Sequence, residues 1–181
     1  MIWIRTTLLV SILVLTSCDI GEVPTASLNN PLDTEEAAQK GIDTPALVFF
    51  PDSISAPTGS SVSMEVYALN VENLGMAHIV INYDNSRLSL TSINVGEFLK
   101  GNQSPIFIYE NNSETGTIDI YTSFLGSDVS VSGTGNLAYL VFSITTPGQS
   151  TINYSSESEL GDPNDNPIQI KGFGEGVIDA N

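Results

Sequence analysis

Apolar residues fall into two textures along the chain. Thr6 to Ser17 is an unbroken stretch without a charged residue. From Ala46 onward the chain is instead cut into short apolar or alternating runs, each closed by Gly, Pro, Asn or Asp. These runs predict strands near 46–50, 62–70, 77–83, 88–95, 106–110, 117–124, 136–145, 150–154, 167–171 and 176–179. They recur about every ten residues with no amphipathic helix between them, which is the pattern of an all-β sandwich. The span 46–181 is long enough for one such domain.

Period-two alternation gives the facing of the side chains, because successive residues of a strand point to opposite sides of the sheet. Val62, Met64, Val66 and Ala68 share one side and are expected in the core. In the strand beginning at Ala77 the odd positions point inward, which leaves His78, Val80 and Asn82 on the outer face. Ile118 and Ile120 are expected inside, with Asp119, Tyr121 and Ser123 outside. Leu137 to Ile144 is nearly continuously apolar, as in a strand central in its sheet or buried on both sides.

The amino-terminal run follows Met-Ile-Trp-Ile-Arg and is too short for the ~20 apolar residues that a membrane-crossing helix needs. It reads as an export signal over residues 1–17. The signal ends in Leu15-Thr16-Ser17-Cys18, which resembles the bacterial lipobox, whose cysteine is diacylated and becomes the new amino terminus. Cys18 is the only cysteine, so the chain has no disulfide framework, thiolate zinc site or dithiol motif, and acylation gives the residue a use. Residues 18–45 hold Pro24, Pro31 and Pro45 among Thr, Asn, Asp and Glu, and are expected to form a lipidated tether that cannot bury enough apolar surface to fold. As a coil that tether would span about 30 Å, at roughly 5–6 Å × √n. Within it, only Thr34 to Lys40 has helical character, and it is too short to be a stable helix alone. The expected organisation is therefore signal peptide 1–17, tether 18–45 and sandwich 46–181. The domain would lie outside the cytoplasm, anchored to the cell membrane or the outer membrane. Asp19 favours inner-membrane retention under the enterobacterial sorting rule.

Charge narrows the partners. Without Arg5 the basic residues are Lys40, Arg87, Lys100 and Lys171 against 21 acids, a formal 4 − 21 = −17. Nucleic acid is excluded, because its binding rests on phosphate neutralisation by Lys and Arg. Anionic headgroups are disfavoured for the same reason, so membrane attachment falls to the lipid.

Catalytic and metal chemistry find little support. His78 is the only histidine, whereas zinc usually takes several His or Cys ligands. No Gly-x-Ser-x-Gly elbow accompanies it to make a nucleophilic triad. With 21 acids, any two carboxylates can be nominated as a glycosidase pair, so that pattern carries no weight. Asp162, Asn164 and Asp165 offer the alternating oxygens that suit calcium. As an EF-hand loop the segment fails, since Pro167 stands where glycine is needed and Phe173 where glutamate is needed; a proline-punctuated turn is the simpler expectation. No enzyme activity and no cofactor are expected.

The run Ile81-Asn82-Tyr83-Asp84-Asn85-Ser86-Arg87-Leu88, followed by Leu90, Ile93, Val95, Gly96 and Phe98, resembles cohesin modules, whose third strand ends in a Tyr-Asp-Pro-x-x-Leu turn. Gly59 before a long alternating strand, Asn73-Leu74-Gly75, Gly116-Thr117-Ile118, Gly133-Thr134-Gly135 and the closing Gly174 to Ile178 fit the same pattern over 46–181. Asn85 departs from it, standing where the family usually has proline. The resemblance implies a nine-stranded β-sandwich of jelly-roll topology with no catalytic activity. It also implies binding of a dockerin-like module, carried by an extracellular partner in polysaccharide degradation, through one flat sheet face. His78 falls where many type I members use a carboxylate, and Phe124-Leu125-Gly126 follows the strand where an acid is common. Those departures point to a more apolar face composed of His78, Val80, Asn82, Tyr121, Phe124 and Leu125. Two alternatives stay open. One is a carbohydrate-binding surface that uses Tyr109 and Tyr121 as an aromatic row, and the other is a structural or adhesion sandwich.

Overall fold

The structure, a computed structural model, describes residues 30, 33–100, 104–126 and 128–181. Cys18 and the export signal lie outside the described residues. Two sheets make the sandwich. The first has β1 (Ala46–Phe50), β3 (Ser61–Leu74), β5 (Leu88–Val95), β8 (Val131–Ile144) and β12 (Gly172–Phe173), in the order β12-β1-β3-β8-β5. The second is built from β2 (Ser53–Ala56), β4 (Met76–Tyr83), β6 (Ile106–Asn112), β7 (Thr117–Ser123), β9 (Gly148–Tyr154), β10 (Glu159–Gly161), β11 (Pro167–Ile168) and β13 (Gly176–Ala180). Its order is β11-β10-β4-β9-β13-β2, with β7 on the other side of β4 and β6 beyond β7.

The all-β sandwich is the class that the alternation predicts. β8 is central between β3 and β5, which explains its long apolar run. β2 and β10 were not legible as strands: Ser53–Ala56 has only two apolar residues, and Glu159–Gly161 is three residues long. The single strand expected over 167–171 is only β11, and a separate β12 follows it. Such short pieces bring the described strand segments to thirteen, against the ten runs of the sequence pattern.

The inward positions of both sheets meet in one core that includes Phe49, Met64, Val66, Ile79, Ile81, Ile118, Ile120, Leu140, Phe142, Ile152 and Ile178. β1 is buried on both sides for a specific reason. Leu47 and Phe49 enter this core, while Ala46 and Val48 lie on the outer side with Leu69. There they are covered by Ala37 of α1 (Thr34–Gln39), with Ile42 and Tyr67 packed against them. Asp33 caps this helix by accepting the amides of Glu35 and Glu36 at 3.0 and 2.9 Å. The tether expected over 18–45 thus ends earlier than its composition implies: 33–45 is docked on the first sheet, because Ala37 and Ile42 supply the apolar contact that a lone helical turn lacks.

Candidate partner-binding face

The strand register sets out the outer side of the second sheet. Its rows run across β6, β7 and β4. Ile108 stands opposite Tyr121, Tyr121 opposite His78, and His78 opposite Glu159 of β10. One row along, Glu110, Asp119 and Val80 are aligned, and beyond them Asn112, Thr117 and Asn82. Toward the other end Ile106, Ser123 and Met76 follow. Three large apolar side chains are exposed here: Ile106 at 43%, Ile108 at 56% and Tyr121 at 42%.

The centre of the face is ordered by local contacts. The Tyr121 and His78 rings stack with centroids 4.3 Å apart and planes within 7°. His78 Nε2 lies 3.0 Å from Asp119 Oδ1, which fixes the imidazole against β7. Desolvation, and then the charges of Asp119 and Glu110, push the Tyr121 hydroxyl above its usual range, so it stays a neutral donor. The β6–β7 hairpin that carries half of this surface is tied to the turn after β4. The Asn85 amide donates to the carbonyls of Ser113 and Glu114 at 3.0 and 2.8 Å. Gly116 closes the hairpin at φ +71°, where a Cβ would run into the Tyr83 carbonyl.

Most of the expected site residues meet on this face, with three corrections. His78, Asn82 and Tyr121 lie on it and are at least partly accessible. Leu125, just past β7, is 68% exposed. Val80 has the outward register but is only 3% exposed. At this point β4 changes partner from β9 to β10, and the connection between them is bonded to Val80 through the Ser155 amide and the Ser158 hydroxyl. Phe124 is 7% exposed and belongs to the core, since it keeps the inward parity of Ile118, Ile120 and Thr122. Tyr109 is paired with Ile120 and Tyr121 with Ile108, so the two tyrosines point to opposite sides of the sheet and form no aromatic row.

The 162–167 loop is also accounted for. Asp162 Oδ1 accepts the amides of Asn164 and Asn166 at 2.8 and 2.9 Å, and Oδ2 accepts the Asn166 side-chain amide at 2.9 Å. These bonds hold its carboxyl below the usual range. Asp162 is spent on the turn, and no group of three or more metal-ligating acids, histidines or cysteines occurs among the described residues. Residues of the face that the strand pattern left unassigned are Ile106, Ile108, Glu110 and Glu159. The parity of Ile106 and Ile108 matches that of Tyr121 only once the β6–β7 register is known.

A family model for the cohesin domain matches residues 47–178. The chain belongs to the cohesin family. The cohesin fold spans every strand from β1 to the middle of β13, so the face described above is part of the family domain rather than an addition to it. Solved cohesins of the same fold include a type II cohesin domain from the cellulosome of Acetivibrio cellulolyticus, at 18% identity and TM-score 0.66, covering 75% of this chain and 95% of that one. A non-cellulosomal cohesin from the archaeon Archaeoglobus fulgidus is 20% identical with TM-score 0.63, covering 75% and 90%. A type I cohesin–dockerin complex from Clostridium thermocellum is 15% identical with TM-score 0.63, covering 77% and 97%. The search of curated protein sequences gave no match. Among the described residues no helix is long and apolar enough to cross a membrane.

Proposed function

We propose that this cohesin is a non-catalytic receptor that captures a dockerin-like module of an extracellular partner, probing it with the outer face of the β6-β7-β4 sheet while a lipid on Cys18 holds the chain to a membrane. The observation that carries it is the exposed apolar row of Ile108 and Tyr121 stacked on His78, on a flat strand surface inside a complete cohesin domain. A ring of Asn, Thr and carboxylate side chains around an apolar centre is the composition of a protein interface. Several cohesins of similar fold were solved in complex with dockerins, which supports the class of partner. The polysaccharide role belongs to the partner that would be recruited. A direct glycan platform loses its support once Tyr109 and Tyr121 are on opposite sides of the sheet.

Calorimetry against the dockerin modules encoded in the same genome tests the proposal. At least one should bind with micromolar or tighter affinity, about −8 kcal/mol or better. Ile108→Asp and Tyr121→Asp should each weaken it at least about tenfold, since both are large apolar side chains exposed on this face. Absence of binding across the whole panel would overturn the proposal.

A further inference from the structure

The outer side of the first sheet carries a different set of groups. Phe50, Glu65, Tyr139 and Asn94 stand in one row across β1, β3, β8 and β5. Tyr67 follows on β3, opposite Asn136 of β8. Opposed residues of neighbouring strands share a side of the sheet, so these side chains meet on one surface. The three rings are all partly exposed. Phe50 meets Tyr67 edge to face, with centroids 6.1 Å apart and planes at 80°, and Tyr67 also packs against the Val48 and Leu69 cluster beneath α1, which fixes its ring. Glu65 is the hub of the group. Its carboxylate accepts the Asn136 side-chain amide and the Tyr67 hydroxyl. Burial, and then the charge and hydrogen bond of Glu65, push that hydroxyl up to about 12, so it stays a neutral donor. Asn136 is 5% exposed, and its Oδ1 has no hydrogen-bond partner among the described residues. The carboxamide occupies space that a Cβ at Gly96 would fill. A buried acceptor left open is costly, and a hydroxyl donor is the group that would satisfy it.

The rest of this side is uncharged. Ser61, Ser143 and Ser89 form one row, and Ser63, Val141 and Ser92 the next. On a chain of formal charge −16, Glu65 is the one charged side chain in these rows. Electrostatics therefore select an uncharged occupant. An acidic polymer is repelled by the domain as a whole, and a basic surface finds a single carboxylate that already holds two donors. A protein interface would want a larger apolar centre, and the exposed aliphatic side chains Ile106, Ile108 and Leu125 belong to the other layer. We propose that this side of the first sheet is a binding site for an uncharged polysaccharide, with sugar rings set against Tyr67 and Tyr139 and hydroxyl groups bonded to Glu65, Asn136 and Asn94. Rings with a polar edge, beside a few convergent amide and carboxylate groups, suit a ligand whose ring faces are C–H and whose rim is hydroxyl. The site is separate from Tyr109 and Tyr121, and the full core lies between it and His78. One domain would then hold a protein partner on one layer and a glycan on the other.

Titration of the purified protein with cellohexaose, xylohexaose, mannohexaose and chitohexaose tests the site, with backbone amide resonances as the readout, at about 50 and 500 mM salt. At least one sugar should shift resonances of 61–67, 89–95 and 136–143 and leave those of 106–123 in place. Its affinity should be the same at both salt concentrations, because the ligand is uncharged. Tyr139→Ala and Glu65→Gln should each weaken that binding at least about tenfold. Tyr139→Ala, a change on the sheet surface, carries the test alone if Glu65→Gln disturbs Asn136. No shift with any of the four sugars, shifts confined to 106–123, an affinity that falls with salt, or binding that survives Tyr139→Ala overturns the inference. None of these results touches the receptor role, which is read from dockerin binding and should be unchanged within about twofold in Tyr139→Ala.

Discussion

Tyr154 links the two layers of the sandwich by chemistry that alternation cannot show. It sits at the end of β9 in the second sheet, and its hydroxyl donates across the core to the Val48 carbonyl of β1 at 2.8 Å. Its ring stacks on Phe49 with centroids 4.2 Å apart and on Phe173 at 5.9 Å. Burial drives its hydroxyl well above the usual range, so it stays a neutral donor. Tyr154→Phe keeps the ring and removes the bond, and chemical denaturation should show a loss of about 1–2 kcal/mol with an unchanged m-value. Tyr154→Ala should cost about 3–5 kcal/mol through the added cavity. A Tyr154→Phe variant as stable as the wild type would mean that the inter-sheet bond contributes nothing. Val80 shows where residue-level inference from the sequence stops. Parity told correctly that Val80 points outward, but its burial depends on where a connection 75 positions downstream meets the strand, as Ser155 does. Phe124 was expected on the face, although it continues the inward parity of Ile118 and Ile120, and it lies in the core. Tyr109 could be assigned a side only from its pairing with Ile120.

At the scale of elements, the turn between β4 and β5 is the part of the family pattern that the chain solves in its own way. Asp84 Oδ1 accepts the Ser86 amide at 3.0 Å and its hydroxyl at 2.5 Å, and Oδ2 lies 3.2 Å from Arg87 Nε. Led by the Ser86 hydroxyl, these partners hold the Asp84 carboxyl below its usual range. Its folded-state value is depressed, so its contribution to stability is present above the unfolded value of about 3.9 and is lost as pH falls through the folded value. Melting temperature should therefore be lower in Asp84→Asn than in the wild type at neutral pH, and the two should converge on acidification below about pH 4. Parallel curves across that range would show that the carboxylate does no work in the turn. Asn85, where the family usually has proline, bonds both carbonyls of the β6–β7 turn, so a residue that departs from the motif steadies the hairpin bearing Ile106 and Ile108. The long strands were legible because they alternate or run apolar over seven or more residues. β2 and β10 were not, because a three- or four-residue strand is specified by its partners, β13 for the one and β4 and β11 for the other. The helix over 34–39 was visible as a weak propensity, and its docking on Ala46, Val48 and Leu69 was not.

For the whole molecule, the docked helix and the candidate face stand on opposite layers of the sandwich. α1 lies on the outer side of the first sheet, whereas the proposed partner-binding face is the outer side of the second, with the full core between them. Asp33 and α1 therefore lie on the layer opposite Ile108, Tyr121 and His78. If the chain is held at a membrane from the α1 side, the proposed face points outward, and attachment and recognition are expected to act independently. This independence makes the proposed anchor at Cys18 testable apart from the partner. Mass spectrometry of the mature protein should find Cys18 at the amino terminus carrying a diacylglyceryl mass, and Cys18→Ser should move the protein out of the membrane fraction. The same variant, purified, should bind its partner with affinity unchanged within about twofold, since the face lies across the sandwich from α1. An unmodified terminus or cleavage at another bond would remove the lipid from this scheme and leave the face intact. A large loss of affinity in soluble Cys18→Ser protein would instead mean that the amino-terminal segment takes part in recognition, and would overturn this independence.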